Sequence, residues 1–97
     1  MKEVISVDYQ RVVKRHRRNG SSRWGVTLFE DKKIIICPRK NRIEEQLIDT
    51  IVHEEIHAVF PEFNEREARA LTDALVESLT PDQKRKYLDL YGYDYIE

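Results

Sequence analysis

The chain has 97 residues, 40 % hydrophobic and 36 % charged, with a formal net charge of −1, the size and balance of one soluble globular domain (residues 1–97) rather than a disordered chain. Cys37 stands alone, which excludes an internal disulfide or a multi-cysteine zinc site and fits a reducing cytoplasm. No apolar run approaches the roughly 18 residues of a membrane span, and the opening MKEVISVDYQ has no apolar signal core, so neither a membrane partner nor secretion is expected.

Charge is unevenly distributed. Residues 1–42 hold 12 Lys+Arg against 4 Asp+Glu, and residues 43–97 hold 5 against 14, so the halves carry about +8 and −9. They should attract each other in the fold.

Taken along the chain, Ile5, Val7 and Tyr9 alternate with Val4, Ser6 and Asp8, the period of a half-buried strand reaching to about Val13. KRHRRNGSSR (Lys14–Arg23) reads as a solvated loop with an Asn19-Gly20 turn. WGVTLFEDKKIIICP reads as a hairpin: Trp24–Phe29, a turn at Glu30–Lys32, then Lys33–Cys37 closed by Pro38. In the second half, Asn41 and Glu44 have the spacing of a capping box for a helix with an Ile43, Leu47, Ile51, Val52 stripe, stopped at Pro61. Asn64 and Glu67 repeat that spacing for a second helix, whose buried face is Ala68, Leu71, Leu75 and Leu79. Pro81 begins a short third helix and Gly92 ends it. The expected class is α+β: a small antiparallel sheet of about three strands, packed on two longer helices and a short C-terminal one.

The first helix carries IDTIVHEEIHAVF (Ile48–Phe60). Residues four apart share a helix face, so His53 and His57 can turn imidazole nitrogens toward one metal ion. Glu54 follows the first histidine, where a carboxylate can reach a metal-bound water without ligating the metal, the general-base position of H-E-x-x-H peptidases. The competing reading is two ordinary helical histidines beside a solvated Glu54–Glu55 pair. A third ligand separates the two. A metzincin is excluded, because Phe60 and Phe63 stand where its glycine and third histidine belong. His16 lies in a basic run that repels a divalent cation. Glu62, Glu65 and Glu67 remain. Glu62 sits in the turn, and Glu67 already has a capping role. Glu65 lies about 60–70° from the centre of the second helix's apolar face, at the core edge. Glu65 therefore ranks first and Glu67 second, for one Zn2+.

With these residues the chain resembles the gluzincins, zinc peptidases with H-E-x-x-H on one helix and a Glu from the next. Its size and order look like the minimal gluzincins (minigluzincins) and the short H-E-x-x-H proteins encoded by bacteriophages. Glu65-Arg66-Glu67-Ala68 is similar to the E-x-E-A pattern of the ImmA/IrrE metallopeptidases. The likeness spans about Lys33 to Leu79. It implies His53, His57 and Glu65 as zinc ligands, Glu54 as base, and a cytoplasmic metallopeptidase acting on a protein or peptide substrate. It implies too a cleft-side strand that pairs with extended substrate, for which Trp24, Gly25, Val26 and Thr27 are candidates. For an oxyanion donor the candidates are Tyr87, Tyr91, Tyr93 and Tyr95, and the tail YGYDYIE is a candidate cleft blocker through Asp94 or Glu97. Two features depart from the pattern. Arg69 occupies the place where an Asn or Asp commonly holds a zinc histidine, which leaves that task to a backbone carbonyl or Asp73, and the His57–Glu65 gap is short.

Two alternatives belong to other classes. Arg11, Lys14, Arg15, Arg17, Arg18 and Arg23 could neutralise nucleic-acid phosphates, although no aromatic is interleaved within their run. A zinc-stabilised scaffold without turnover shares the metal and differs only at Glu54.

Overall fold

The computed structural model describes residues 3–13, 25–37 and 44–92. It has three strands, β1 (Gln10–Val13), β2 (Gly25–Leu28) and β3 (Lys33–Ile36), followed by three helices, α1 (Glu44–Val59), α2 (Glu65–Ser78) and α3 (Pro81–Leu90). The class is α+β, as the order of patterns along the chain implies.

β3 is the central strand of the sheet, in the order β1-β3-β2. β2 and β3 form the expected antiparallel hairpin, with Gly25 opposite Ile36 and Leu28 opposite Lys33. β1 instead runs parallel to β3, Gln10 opposite Lys33 and Val13 opposite Ile36, so the sheet is mixed rather than antiparallel throughout. β1 is also shorter than its alternating pattern suggests, because Val4–Tyr9 spends its backbone groups elsewhere. Val4 donates its N–H to the Tyr87 hydroxyl (2.8 Å) and accepts that hydroxyl's proton at its carbonyl (2.9 Å). The Ser6 N–H goes to Glu55 Oε1 (2.7 Å). Backbone groups satisfied by side chains have no need of a ladder partner. Ser6 is consequently buried, and Val7 is 90 % exposed.

α1 lies at the centre of the molecule and touches β2, β3, α2 and α3. Its residues Thr50–Ile56 are all buried, polar ones included. Ile48, Ile51, Val52 and Ile56 meet Ile34 and Ile36 of the sheet, Ala68 and Leu75 of α2, and Tyr87 and Leu88 of α3 in one core. The anticipated apolar stripes hold with Leu47 and Leu71 only partly buried; Asn41 and Ile43 lie outside the described residues.

Helix boundaries follow their chemistry. Asn64 accepts the Glu67 N–H and Glu67 accepts the Asn64 N–H, both at 2.8 Å, a complete capping box. Thr80 and Gln83 form a second one at the start of α3, with Pro81 in its first turn. Gly92, at φ +73°, ends α3 in the left-handed conformation that glycine adopts without strain.

One carboxylate fastens these pieces together. Glu55, 0 % exposed, accepts from Arg11 Nε (2.8 Å) and Nη2 (3.2 Å), from the Ser6 N–H, and from the Tyr91 hydroxyl (2.6 Å). Burial alone would push its carboxyl upward, but the bonds from Arg11, Tyr91 and Ser6 outweigh it and hold it below the usual range. Arg11 is raised in turn by its bond to Glu55. Glu55→Ala leaves the Arg11 guanidinium without its counter-charge in a partly buried site. It is expected to lower stability by about 3–5 kcal/mol in urea unfolding, and a loss below about 1 kcal/mol would show that this carboxylate does not organise the fold.

Candidate metal centre

α1 turns His53, Glu54 and His57 toward α2 and β2, and the first turn of α2 brings Glu65 to meet them. His53 Nε2 lies 2.8 Å from Glu65 Oε2, and His57 Nε2 lies 3.1 Å from Glu65 Oε1. The two rings stand edge to face, 4.8 Å between centroids. Among the described residues, this is the group of histidine, cysteine and carboxylate side chains whose donor atoms converge, all within 4.8 Å of one another. Glu65 itself is largely exposed. Its slight burial pushes its carboxyl up, but the charges and bonds of His53 and His57 outweigh that and hold it below the ordinary range.

The donor chemistry is that of a metal site. Ligands about 2.0–2.1 Å from a tetrahedral zinc ion stand roughly 3.3 Å apart; here one donor atom from each of the three residues lies within 4.8 Å of the others, and the contacts of 2.8 and 3.1 Å run to separate oxygens of Glu65. Two neutral nitrogens and one carboxylate are also the ligands of open, three-residue zinc sites. Glu67, the second candidate, is committed to the α2 cap and exposed, and Glu62 is exposed in the turn.

Glu54 is buried beside the triad but tied to neither histidine. Thr27 Oγ1 stands 2.6 Å from Glu54 Oε1 and 3.1 Å from the Glu54 carbonyl, so the strand hydroxyl orients the carboxylate. Burial pushes the Glu54 carboxyl above the ordinary range, against the Thr27 bond and the nearby histidines. A cleft of about 380 Å3 opens over these groups, bounded by Gly25, Thr50, His53, Glu54 and Glu65, with Asp49 and Arg69 at one end. Gly25 is needed here for packing. A Cβ on it would stand 2.9 Å from Thr50 Cγ2 and 3.1 Å from Glu54 Cγ, so the bare backbone lets β2 press against α1.

Behind the ligands, Thr72 Oγ1 lies 3.2 Å from His53 Nδ1. Asp73, a candidate for that place, is instead engaged by Arg69 (2.9 Å), which also binds Asp49 through Nη2 at 2.8 and 2.7 Å.

Other assignments change. Arg11 is occupied by Glu55 and 17 % exposed, which removes it from a phosphate-binding surface. Tyr87 and Tyr91 give their hydroxyls to Val4 and Glu55, so neither serves as an oxyanion donor, and burial pushes both phenols up, Tyr87 to about 12. Val26 and Thr27 lie on β2, an edge strand among the described residues. Lys14, Arg15, His16, Arg17, Arg18, Arg23, Trp24, Tyr93, Asp94, Tyr95 and Glu97 lie outside the described residues.

Thr72 and Asp49 line the site without having been singled out from the sequence; Thr27, a candidate substrate-strand residue, is turned to Glu54 instead, and Arg69 joins Asp49 rather than a histidine. Thr72 had a legible signal: a polar residue on the apolar face of α2, one turn after Ala68. Asp49 likewise stands one turn before His53.

No family model matches the chain, and no curated protein or solved structure matches it.

Glu65→Ala is expected to abolish stoichiometric zinc binding, measured by metal analysis after dialysis. Glu67→Ala should keep the zinc and lose about 1 kcal/mol of stability with the cap. The opposite pattern would make Glu67 the ligand.

Proposed function

We propose that the chain is a zinc-dependent peptidase of gluzincin type, hydrolysing peptide bonds in protein or peptide substrates. The observation that carries this reading is the approach of His53 Nε2 and His57 Nε2 to separate oxygens of one carboxylate, Glu65, with a second and differently treated carboxylate, Glu54, in the same cleft.

His53, His57 and Glu65 would hold the ion. Bound there, zinc supplies a Lewis acid that polarises a carbonyl and acidifies water. Glu54 does the proton transfer. Its Oε1 is fixed by Thr27, which leaves Oε2 to take the proton of the attacking water. Burial makes this carboxylate a stronger base than an exposed glutamate, so it holds the proton long enough to deliver it to the leaving amine as the C–N bond breaks. The two carboxylates thus divide the work: Glu65, exposed and held ionised, binds the metal, and Glu54, buried, moves the proton. Among the described residues β2 is an edge strand beside the cleft, where an extended chain could pair with it.

The test pairs metal analysis with cleavage of an unstructured protein such as casein and of a mixed peptide library. Wild type and Glu54→Gln should each retain one zinc, and only wild type should cleave, with a loss in the variant of at least about 100-fold. Zinc in both with cleavage in neither favours a zinc-stabilised scaffold. Absence of zinc from the purified and zinc-dialysed wild type overturns the metal reading.

Thr27→Val removes the hydroxyl that holds Glu54 while keeping the side chain's shape. Its expected signature is unchanged zinc content with turnover lowered about 10-fold or more; zinc loss in this variant would mean that Thr27 supports the ligands instead.

A further inference from the structure

We propose that Thr72 is the positioning residue of the metal centre, fixing His53 in the tautomer that offers Nε2 to a metal ion; the proposal rests on reading His53, His57 and Glu65 as a zinc site.

A hydroxyl has one proton to give. Thr72 Oγ1 lies 2.7 Å from the Ala68 carbonyl, one turn back on α2, and that carbonyl can only accept. The proton of Thr72 is therefore spent on the helix backbone. What the oxygen turns toward His53 Nδ1, at 3.2 Å, is a lone pair. Nδ1 must carry a hydrogen for this contact to be a hydrogen bond. The other tautomer would set two lone pairs against each other at a residue that is 0 % exposed. With its hydrogen fixed at Nδ1, the ring turns Nε2 to Glu65 Oε2 at 2.8 Å; without a metal that contact is an N–H···O hydrogen bond, and a bound metal ion would displace the Nε2 hydrogen and take that lone pair while Nδ1–H stays on Thr72.

The neighbouring side chains leave this task to Thr72. Arg69, one turn after Glu65, has no acceptor to offer an imidazole N–H and is drawn to Asp49 and Asp73. Asp73 is occupied by the same guanidinium. Thr72 lies on the inward face of α2, next to both, and reaches the ring that they do not. His57 has no equivalent: among the described residues nothing bonds its Nδ1. The two ligands therefore differ, His53 held in tautomer and orientation from behind and His57 held by the metal side alone.

The experiment measures zinc affinity by competition with a chromophoric chelator for the wild type, Thr72→Val and Thr72→Ser, with urea unfolding of the metal-free proteins in parallel. Valine keeps the shape and removes the acceptor; serine keeps the acceptor. Thr72→Val should bind zinc about 10- to 100-fold more weakly, and Thr72→Ser should return most of that loss. In zinc-loaded wild type labelled at histidine nitrogen, the His53 Nδ1–H should exchange slowly with water and the His57 Nδ1–H rapidly, a readout that does not depend on either variant folding. Wild-type affinity in Thr72→Val, an equal loss in the serine variant, or a rapidly exchanging His53 proton each overturns the role of Thr72 while leaving the metal site intact. A wild type that binds no zinc overturns the metal site and the role of Thr72 together.

Discussion

The rotation of α1 about its own axis depends on the burial of Glu55. At 100° per residue, Glu55 points about 180° away from the midpoint of His53 and His57. Turning that carboxylate inward, where Arg11, Ser6 and Tyr91 meet it, turns the two histidines to the opposite side, toward α2 and β2. Burying an ionised carboxylate costs several kcal/mol, and the cost is offset only when counter-charge and donors converge on it. A helix whose middle is buried all round has few other ways to specify which side faces which neighbour. Apolar packing alone tolerates small rotations, and a four-bond carboxylate does not.

The same contact joins distant parts of the chain. Ser6 and Arg11 come from the N-terminal segment and β1, Glu55 from α1, and Tyr91 from the end of α3. The Arg11 guanidinium also lies 5.7 Å from the centre of the Tyr91 ring, so it serves as both ion-pair partner and cation over an aromatic face. The attraction expected between a basic first half and an acidic second half is thus realised at least once, in a single buried pair.

Patterns that depend on local chemistry were legible in the sequence. The hairpin was marked by two apolar runs around a polar turn, and α2 by Asn64 and Glu67 bonding within four residues of each other. The convergence of the candidate ligands was legible for the same reason: His53 and His57 share a helix face by spacing alone, and Glu65 follows from the edge of an apolar stripe. Features that depend on distant partners were not. Ile5, Val7 and Tyr9 alternate as a strand does, yet Tyr87 and Glu55, far along the chain, claim the backbone of that segment. Glu55 beside Glu54 looks like a solvated pair, because nothing near it announces Arg11. The parallel pairing of β1 with β3 is equally a matter of topology, to which residue period is blind.

Each candidate site residue of α1 is matched by a partner from a different element. Thr27 of β2 orients Glu54, Thr72 of α2 backs His53, and Glu65 of α2 faces both histidines. One turn away along both helices, Arg69 of α2 grips Asp49 of α1 with Nη2 and is itself steadied by Asp73. The α1–α2 spacing is therefore set at two levels, by an ion pair at one and by the histidine–glutamate contacts at the next. A half-exposed ion pair contributes little stability by itself, but a guanidinium held by Asp49 through Nη2 and by Asp73 through Nε constrains the distance between the two helices. That constraint matters because Glu65 is exposed and, without it, free to swing away. A small chain cannot surround a cluster of polar side chains with layers of supporting structure. This one instead pairs each candidate site residue of a single buried helix with a hydrogen-bonding group on the strand or helix beside it.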